Sequence, residues 1–103
     1  MRLEHYPEEK LKREILAILG RHLDLARYRV FFFGSRVIPG KGTERSDIDI
    51  GIEGPPIPTS VWFDILKELE EVPTLYTIQL VDFNTVAARF KEVALQHIET
   101  ISP

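Results

Sequence analysis

Six consecutive residues, Asp47-Ile48-Asp49-Ile50-Gly51-Ile52, alternate without exception between isoleucine and an acidic or minimal side chain. Successive side chains of a strand point to opposite faces, so the segment is predicted to be a β-strand with one apolar and one acidic face. The isoleucine face has to be covered, which places the strand in a sheet layered with other elements. The acidic face sets a second constraint. Cα atoms two residues apart along a strand are about 6.6–6.8 Å apart, and two carboxylates at about 6 Å repel by roughly 3 kcal/mol at an effective dielectric of 20. Solvent or a cation must offset that cost, and oxygen-only ligands favour magnesium or manganese. A solvated face of an edge strand is the plainer explanation for an isolated Asp-x-Asp. A calcium loop of the EF-hand type is excluded, because Gly51 stands where Asp or Asn is required and isoleucines fill the intervening positions.

The neighbouring segments supply the other layers. Pro7, expected at a first helical position, followed by Glu8 and Glu9, marks a helix start, and Leu11, Ile15, Ile18, Leu19 and His22/Leu23 recur at helical spacing. Tyr28 to Phe33 reads as a strand ended by Gly34-Ser35. Gly54-Pro55-Pro56-Ile57-Pro58 is a stiff loop. Thr59 or Ser60 is expected to cap a helix reaching Glu71, with Trp62, Ile65, Leu66 and Leu69 inward and Phe63 also in the core. Leu75 to Val81 is a third strand. Asn84 is expected to cap a last helix carrying Val86, Phe90, Val93 and Ala94, while His97 to Ile101 ends that helix or forms a short edge strand. The order is α-β-β-α-β-α, an α/β (α+β) fold with a small mixed sheet.

Composition narrows the function. With 103 residues the chain is expected to be one domain, able to bury roughly two thirds of its unfolded surface. The absence of cysteine removes disulfides, thiolate zinc sites and cysteine nucleophiles, and fits a cytoplasmic location. No apolar run approaches the roughly 18 residues of a membrane span, and the polar N-terminal residues do not resemble a signal peptide. A net charge of −3 argues against direct coating of nucleic acid. His5, His22 and His97 show no metal-ligand spacing and are expected to be packed or on the surface, and no Ser-His-Asp arrangement is present.

A second motif, Phe32-Phe33-Gly34-Ser35-Arg36, runs a buried strand into Gly-Ser with a cation behind it. Glycine lets backbone approach a phosphate closely, the serine hydroxyl can donate to phosphate oxygens, and Arg36 adds charge. Alone this is a common turn. Neither a GxxxxGK[ST] loop nor a GxGxxG loop occurs. Lys41 and Arg45, before the acidic strand, are further candidates for phosphate contact.

Together the two motifs are far more specific. From Phe33-Gly34-Ser35-Arg36-Val37 through Thr43-Glu44-Arg45-Ser46-Asp47-Ile48-Asp49-Ile50, the chain resembles the nucleotidyltransferase superfamily of DNA polymerase β, and most closely its minimal members. The resemblance covers residues 1–103 and implies a polymerase β palm-like fold. It further implies a nucleotide held by Gly34, Ser35 and Arg36, and two Mg²⁺ ions (Mn²⁺ possible) held by Asp47 and Asp49. AMP from ATP would pass to an acceptor hydroxyl. Minimal members are often antitoxins that pair with HEPN-domain toxins, and some adenylylate them, so a HEPN-type partner is implied. Two departures stand out. Eleven residues separate Ser35 from Asp47, one more than is usual, and the segment Ile38-Pro39-Gly40-Lys41-Gly42 is where the extra residue falls. The position of the family's third carboxylate, which helps activate the attacking hydroxyl, is Gln79. Asp82 could substitute as metal ligand or base only if a bulge turned it inward, since it lies on the apolar parity of its strand or beyond its end. The alternative implied by Gln79 is an inactive or weakened fold that neutralises its partner by binding.

Overall fold

The isoleucine face of the alternating strand decides the layering. The computed structural model describes residue 3, residues 6–38 and residues 47–101. Within them the elements run α1 (Glu8–His22), β1 (Arg29–Phe33), β2 (Ile48–Glu53), α2 (Thr59–Glu70), β3 (Ile78–Asp82), α3 (Ala88–Ala94) and β4 (Glu99–Thr100). Short 3₁₀ turns at Leu25–Arg27 and Ser35–Val37 flank β1. The sheet order is β3-β2-β1-β4. β1 runs antiparallel to both β2 and β4, and β2 runs parallel to β3. A parallel pair needs a crossover, which α2 provides. The expected mixed sheet with helices is the observed fold, and within the segment from His97 to Ile101 the residues Glu99–Thr100 form a short edge strand.

One face of the sheet carries the main core. Ile48, Ile50 and Ile52 of β2 join Val30 and Phe32 of β1, and α1 and α2 cover them with Leu11, Ile15, Leu19, Ile65 and Leu69. Glu8 and Glu9 lie in the first turn of α1 and Arg21 and His22 in its last, matching the helix dipole at both ends. The two helices are also tied by charge. Arg21 Nη2 lies 2.8 Å from Glu68 Oε1, and His22 Nε2 contacts Glu68 Oε2. The His22 hydrogen bond, then that of Arg21, holds the Glu68 carboxyl below its ordinary range.

The opposite face holds a smaller aromatic core of Phe31, Phe33 and Phe83, with Val86, Ala94, Leu95 and Ile98 packed against it. The Phe31 and Phe83 rings meet edge to face at 4.9 Å, a favoured aromatic geometry. Gly51 makes this possible. It pairs with Phe31 across the ladder, and a Cβ there would lie 2.4 Å from the Phe31 ring.

Several boundaries differ from expectation. Pro7 is the cap of α1, not its first helical residue. Neither Thr59 nor Ser60 caps α2. Pro58 takes that position without a side-chain cap, and its carbonyl accepts from Trp62 N at 2.9 Å. The proline's locked φ already sets the chain's entry into the helix. Asn84 does not cap the last helix, which starts only at Ala88. Asp82 Oδ1 accepts from Asn84 N at 2.9 Å, an Asx turn that competes with a helix start. The third strand begins at Ile78 because the Thr74 hydroxyl accepts from Tyr76 N at 3.2 Å and bends the chain first. Leu75 and Phe63 are exposed, whereas Trp62 packs against the core.

Gly51→Ala is expected to destabilise the protein by about 1–3 kcal/mol through overpacking against Phe31 and Phe83. Urea unfolding followed by far-UV circular dichroism measures it, and an unchanged midpoint contradicts the packing described.

Candidate functional site

Strand register assembles the site. Phe33 of β1 pairs with Asp49 of β2, and Asp49 pairs with Gln79 of β3. Residues opposite one another in a ladder share a face, so the three side chains form a row across the sheet, on the α3 side. Burial of Ile48 and Ile50 under α1 and α2 is what turns Asp49 to this side. Asp47 stands just before β2, exposed, and its Oδ2 accepts a hydrogen bond from Gln79 Nε2 at 3.1 Å. An ionised carboxylate only accepts, so the amide nitrogen is the end that faces it.

The turn after β1 closes the row. Gly34 has φ +82°, the left-handed region where side chains are disfavoured, and a Cβ built there would lie 2.3 Å from Asp49 Oδ2. Glycine is therefore required twice, by its own dihedral and by the carboxylate pressed against it. Ser35 follows at the start of a 3₁₀ turn closed by Val37 N donating to Gly34 O at 3.1 Å. The guanidinium of Arg36 lies over the Tyr76 ring, 4.7 Å from its centroid, so a cation–π contact holds it at the approach to β3.

Gly34, Asp49 and Gln79 open into a cavity of about 430 Å³ whose other walls are mostly apolar, including Phe33, Val81, Phe90 and Val93. Asp49 is half-buried there. Burial, and secondarily the Asp47 charge, raise its carboxyl above the ordinary range. The donors fit a hard divalent cation, since two carboxylates offer only oxygen and their mutual repulsion is what such a cation relieves. Among the described residues no group of three or more His, Cys, Asp or Glu side chains is placed to hold a metal.

The structure thus brings Gly34, Asp47, Asp49 and Gln79 together, with Ser35 adjoining. Asp82 is not among them. It lines a separate cleft beside Trp62 and Phe63, on the side of α2. His97, expected to be packed or on the surface, lines the wall of the site cavity, and nothing in its sequence context signals this. Phe90 and Val93, carried as expected by the last helix, are substantially exposed at the cavity's rim. Lys41, Arg45 and His5 lie outside the described residues.

The family model described as polymerase beta, nucleotidyltransferase, matches residues 13–102. No curated protein sequence is significantly similar to the chain. Among solved structures, a mutant of the toxin–antitoxin pair MntA–HpeT superposes with a TM-score of 0.68 at 14% identity, covering 87% of this chain and 71% of the other. A toxin–antitoxin structure with AMP-PNP gives 0.68 at 16% identity, with the same coverages. A tri-AMPylated Shewanella oneidensis HEPN toxin in complex with its MNT antitoxin gives 0.66 at 14% identity, covering 92% and 71%. At these identities the likeness is one of fold.

Asp49 carries a raised carboxyl, so the folded state binds its proton more tightly than the unfolded chain does. Its contribution to stability is therefore unfavourable above the raised value and is relieved as pH falls through it. Asp49→Asn is expected to raise the melting temperature at neutral pH in metal-free buffer by a few degrees. The gain should vanish below the ordinary carboxylate range, and differential scanning fluorimetry across pH reads both.

Proposed function

Because the chain belongs to the polymerase β nucleotidyltransferase family, we propose that it transfers AMP from ATP to a hydroxyl of a HEPN-type toxin and so acts as that toxin's antitoxin. The observation that carries this reading is the convergence of the Gly34 turn and Asp49 on one cavity, with Asp47 hydrogen-bonded to Gln79 of its wall. In the reaction the acceptor oxygen bonds to the α-phosphorus, the bond to pyrophosphate breaks and pyrophosphate leaves, and the acceptor's proton passes to solvent. The Gly34-Ser35 turn holds the terminal phosphates, because a residue without a side chain lets backbone come within reach of their oxygens. Asp47 and Asp49 hold Mg²⁺, which supplies charge neutralisation for the phosphates. Phe33, Val81 and Phe90 give the site apolar walls beside the reacting groups. Positioning and electrostatics, not covalent participation of the protein, provide the acceleration. The whole of residues 1–103 serves as a single nucleotidyltransferase domain working in the cytoplasm. Among the described residues no helix is long and apolar enough to cross a membrane.

The fold shared with toxin–antitoxin structures, one of them a tri-AMPylated HEPN toxin in complex with its MNT antitoxin, supports the choice of acceptor. A second reading is favoured by Gln79. It stands in the row beside Asp49 and donates to Asp47, and a neutral amide cannot take up the acceptor's proton. Loss of a general base typically costs about 10²–10⁴-fold in rate. On this reading the domain retains Mg–nucleotide binding and neutralises its partner by forming a complex.

Incubation with α-³²P-labelled ATP, Mg²⁺ and the HEPN-type partner is expected to label the partner, and the double variant Asp47→Asn/Asp49→Asn to abolish the label. Gln79→Asp is expected to raise the labelling rate by about 10²-fold or more. A stable complex with no label for either the native chain or Gln79→Asp would establish the binding reading.

A further inference from the structure

We propose that Gln79 restricts the site to one divalent cation for each nucleotide bound, by anchoring Asp47 and by standing as a neutral side chain beside Asp49. The inference rests on the nucleotide-binding reading above and concerns the ion stoichiometry of that site.

Three observations lead to it. First, the Gln79 amide nitrogen donates to Asp47 Oδ2 at 3.1 Å. One of the four carboxylate oxygens of the pair is therefore engaged by an N–H donor, and the planar amide directs its own carbonyl oxygen away from that contact. Second, Asp49 Oδ2 is pressed against the Gly34 backbone, so closely that a Cβ at Gly34 would lie 2.3 Å from it. Among the described residues, Asp47 Oδ1 and the side of Asp49 away from Gly34 are the oxygens not engaged by these two contacts. Third, the neighbouring carboxylate of β3, Asp82, lies in the cleft on the opposite side of the sheet and accepts from Asn84 N at 2.9 Å.

Mg²⁺ takes six oxygens in near-octahedral geometry, and one or two carboxylates with substrate phosphates and waters suffice for it. Asp47 and Asp49 meet that requirement once. A second divalent ion about 3.5–4 Å from the first repels it, and beyond the nucleotide's phosphates only anionic side chains of the protein can offset that repulsion. The side chain on the β3 side of the row offers no charge, and its nearer end is a donor. Gln79 is on this account a positioning residue for Asp47 and the determinant of ion number.

The test counts Mn²⁺ bound per molecule of AMP-PNP bound, by electron paramagnetic resonance titration of free Mn²⁺, with AMP-PNP binding measured in parallel. The native chain is expected to hold one Mn²⁺ per AMP-PNP. Gln79→Glu, the same length but anionic, is expected to hold two. Gln79→Leu, which keeps bulk and removes the donor, is expected to hold one with several-fold weaker affinity, because Asp47 loses its anchor. Two Mn²⁺ per nucleotide on the native chain, or one on Gln79→Glu, overturns the inference while leaving the functional reading intact. Failure of the native chain to bind AMP-PNP in the presence of Mn²⁺ overturns the functional reading and the inference with it.

Discussion

The burial of Ile48, Ile50 and Ile52 beneath α1 and α2 is the constraint on which the rest of the molecule depends. Because side chains alternate along a strand, hiding these three residues leaves Asp49 and Gly51 no choice but the opposite face. That face is covered incompletely. The seven-residue α3 closes only part of it, over the aromatic cluster, and Asp49 lies beside the opening that remains. A one-residue slip of β2 would bury the carboxylate in the main core and expose the isoleucines, so the hydrophobic free energy of the core also holds the site in register.

The site is assembled against local cost. A half-buried carboxylate beside a second one has its charged form disfavoured by desolvation and then by repulsion. The Gly34 turn adds a left-handed backbone pressed against that same carboxylate. Neither feature improves the fold, and their coincidence at one cavity is the pattern expected of a place kept for a ligand. Gln79 moderates the arrangement by donating to Asp47 without adding a negative charge.

How much was legible beforehand depended on whether a feature is local. The alternation at Asp47–Ile52, the turn at Gly34-Ser35 and the helical spacing of Leu11, Ile15 and Leu19 are short-range patterns, and each element they predict is present. The placement of Gln79 on the side of Asp49, and of Asp82 away from it, also follows from strand parity. Element ends were less legible. Asn84 has the chemistry of a cap, but Asp82 captures its N–H in a turn instead. Thr59 likewise yields to Pro58, whose ring sets the entry to α2 without a side-chain bond. That Phe90 and Val93 line the cavity rim was not legible either, because it depends on where the short α3 packs on the sheet.

By itself the sequence determined which residues carry charge and which carry bulk, and with strand periodicity that settled the two faces of β2 and the parity of Gln79. It also carried the family pattern, since Gly34-Ser35 and Asp47-Ile48-Asp49 are contiguous motifs. Only the tertiary structure decided that Gln79 reaches Asp47, that Gly34 abuts Asp49, that Arg36 rests on Tyr76 and that His97 joins the cavity wall. These contacts join residues on different strands, turns and helices. Their distances are set by sheet register and by how α3 packs, which no local pattern encodes.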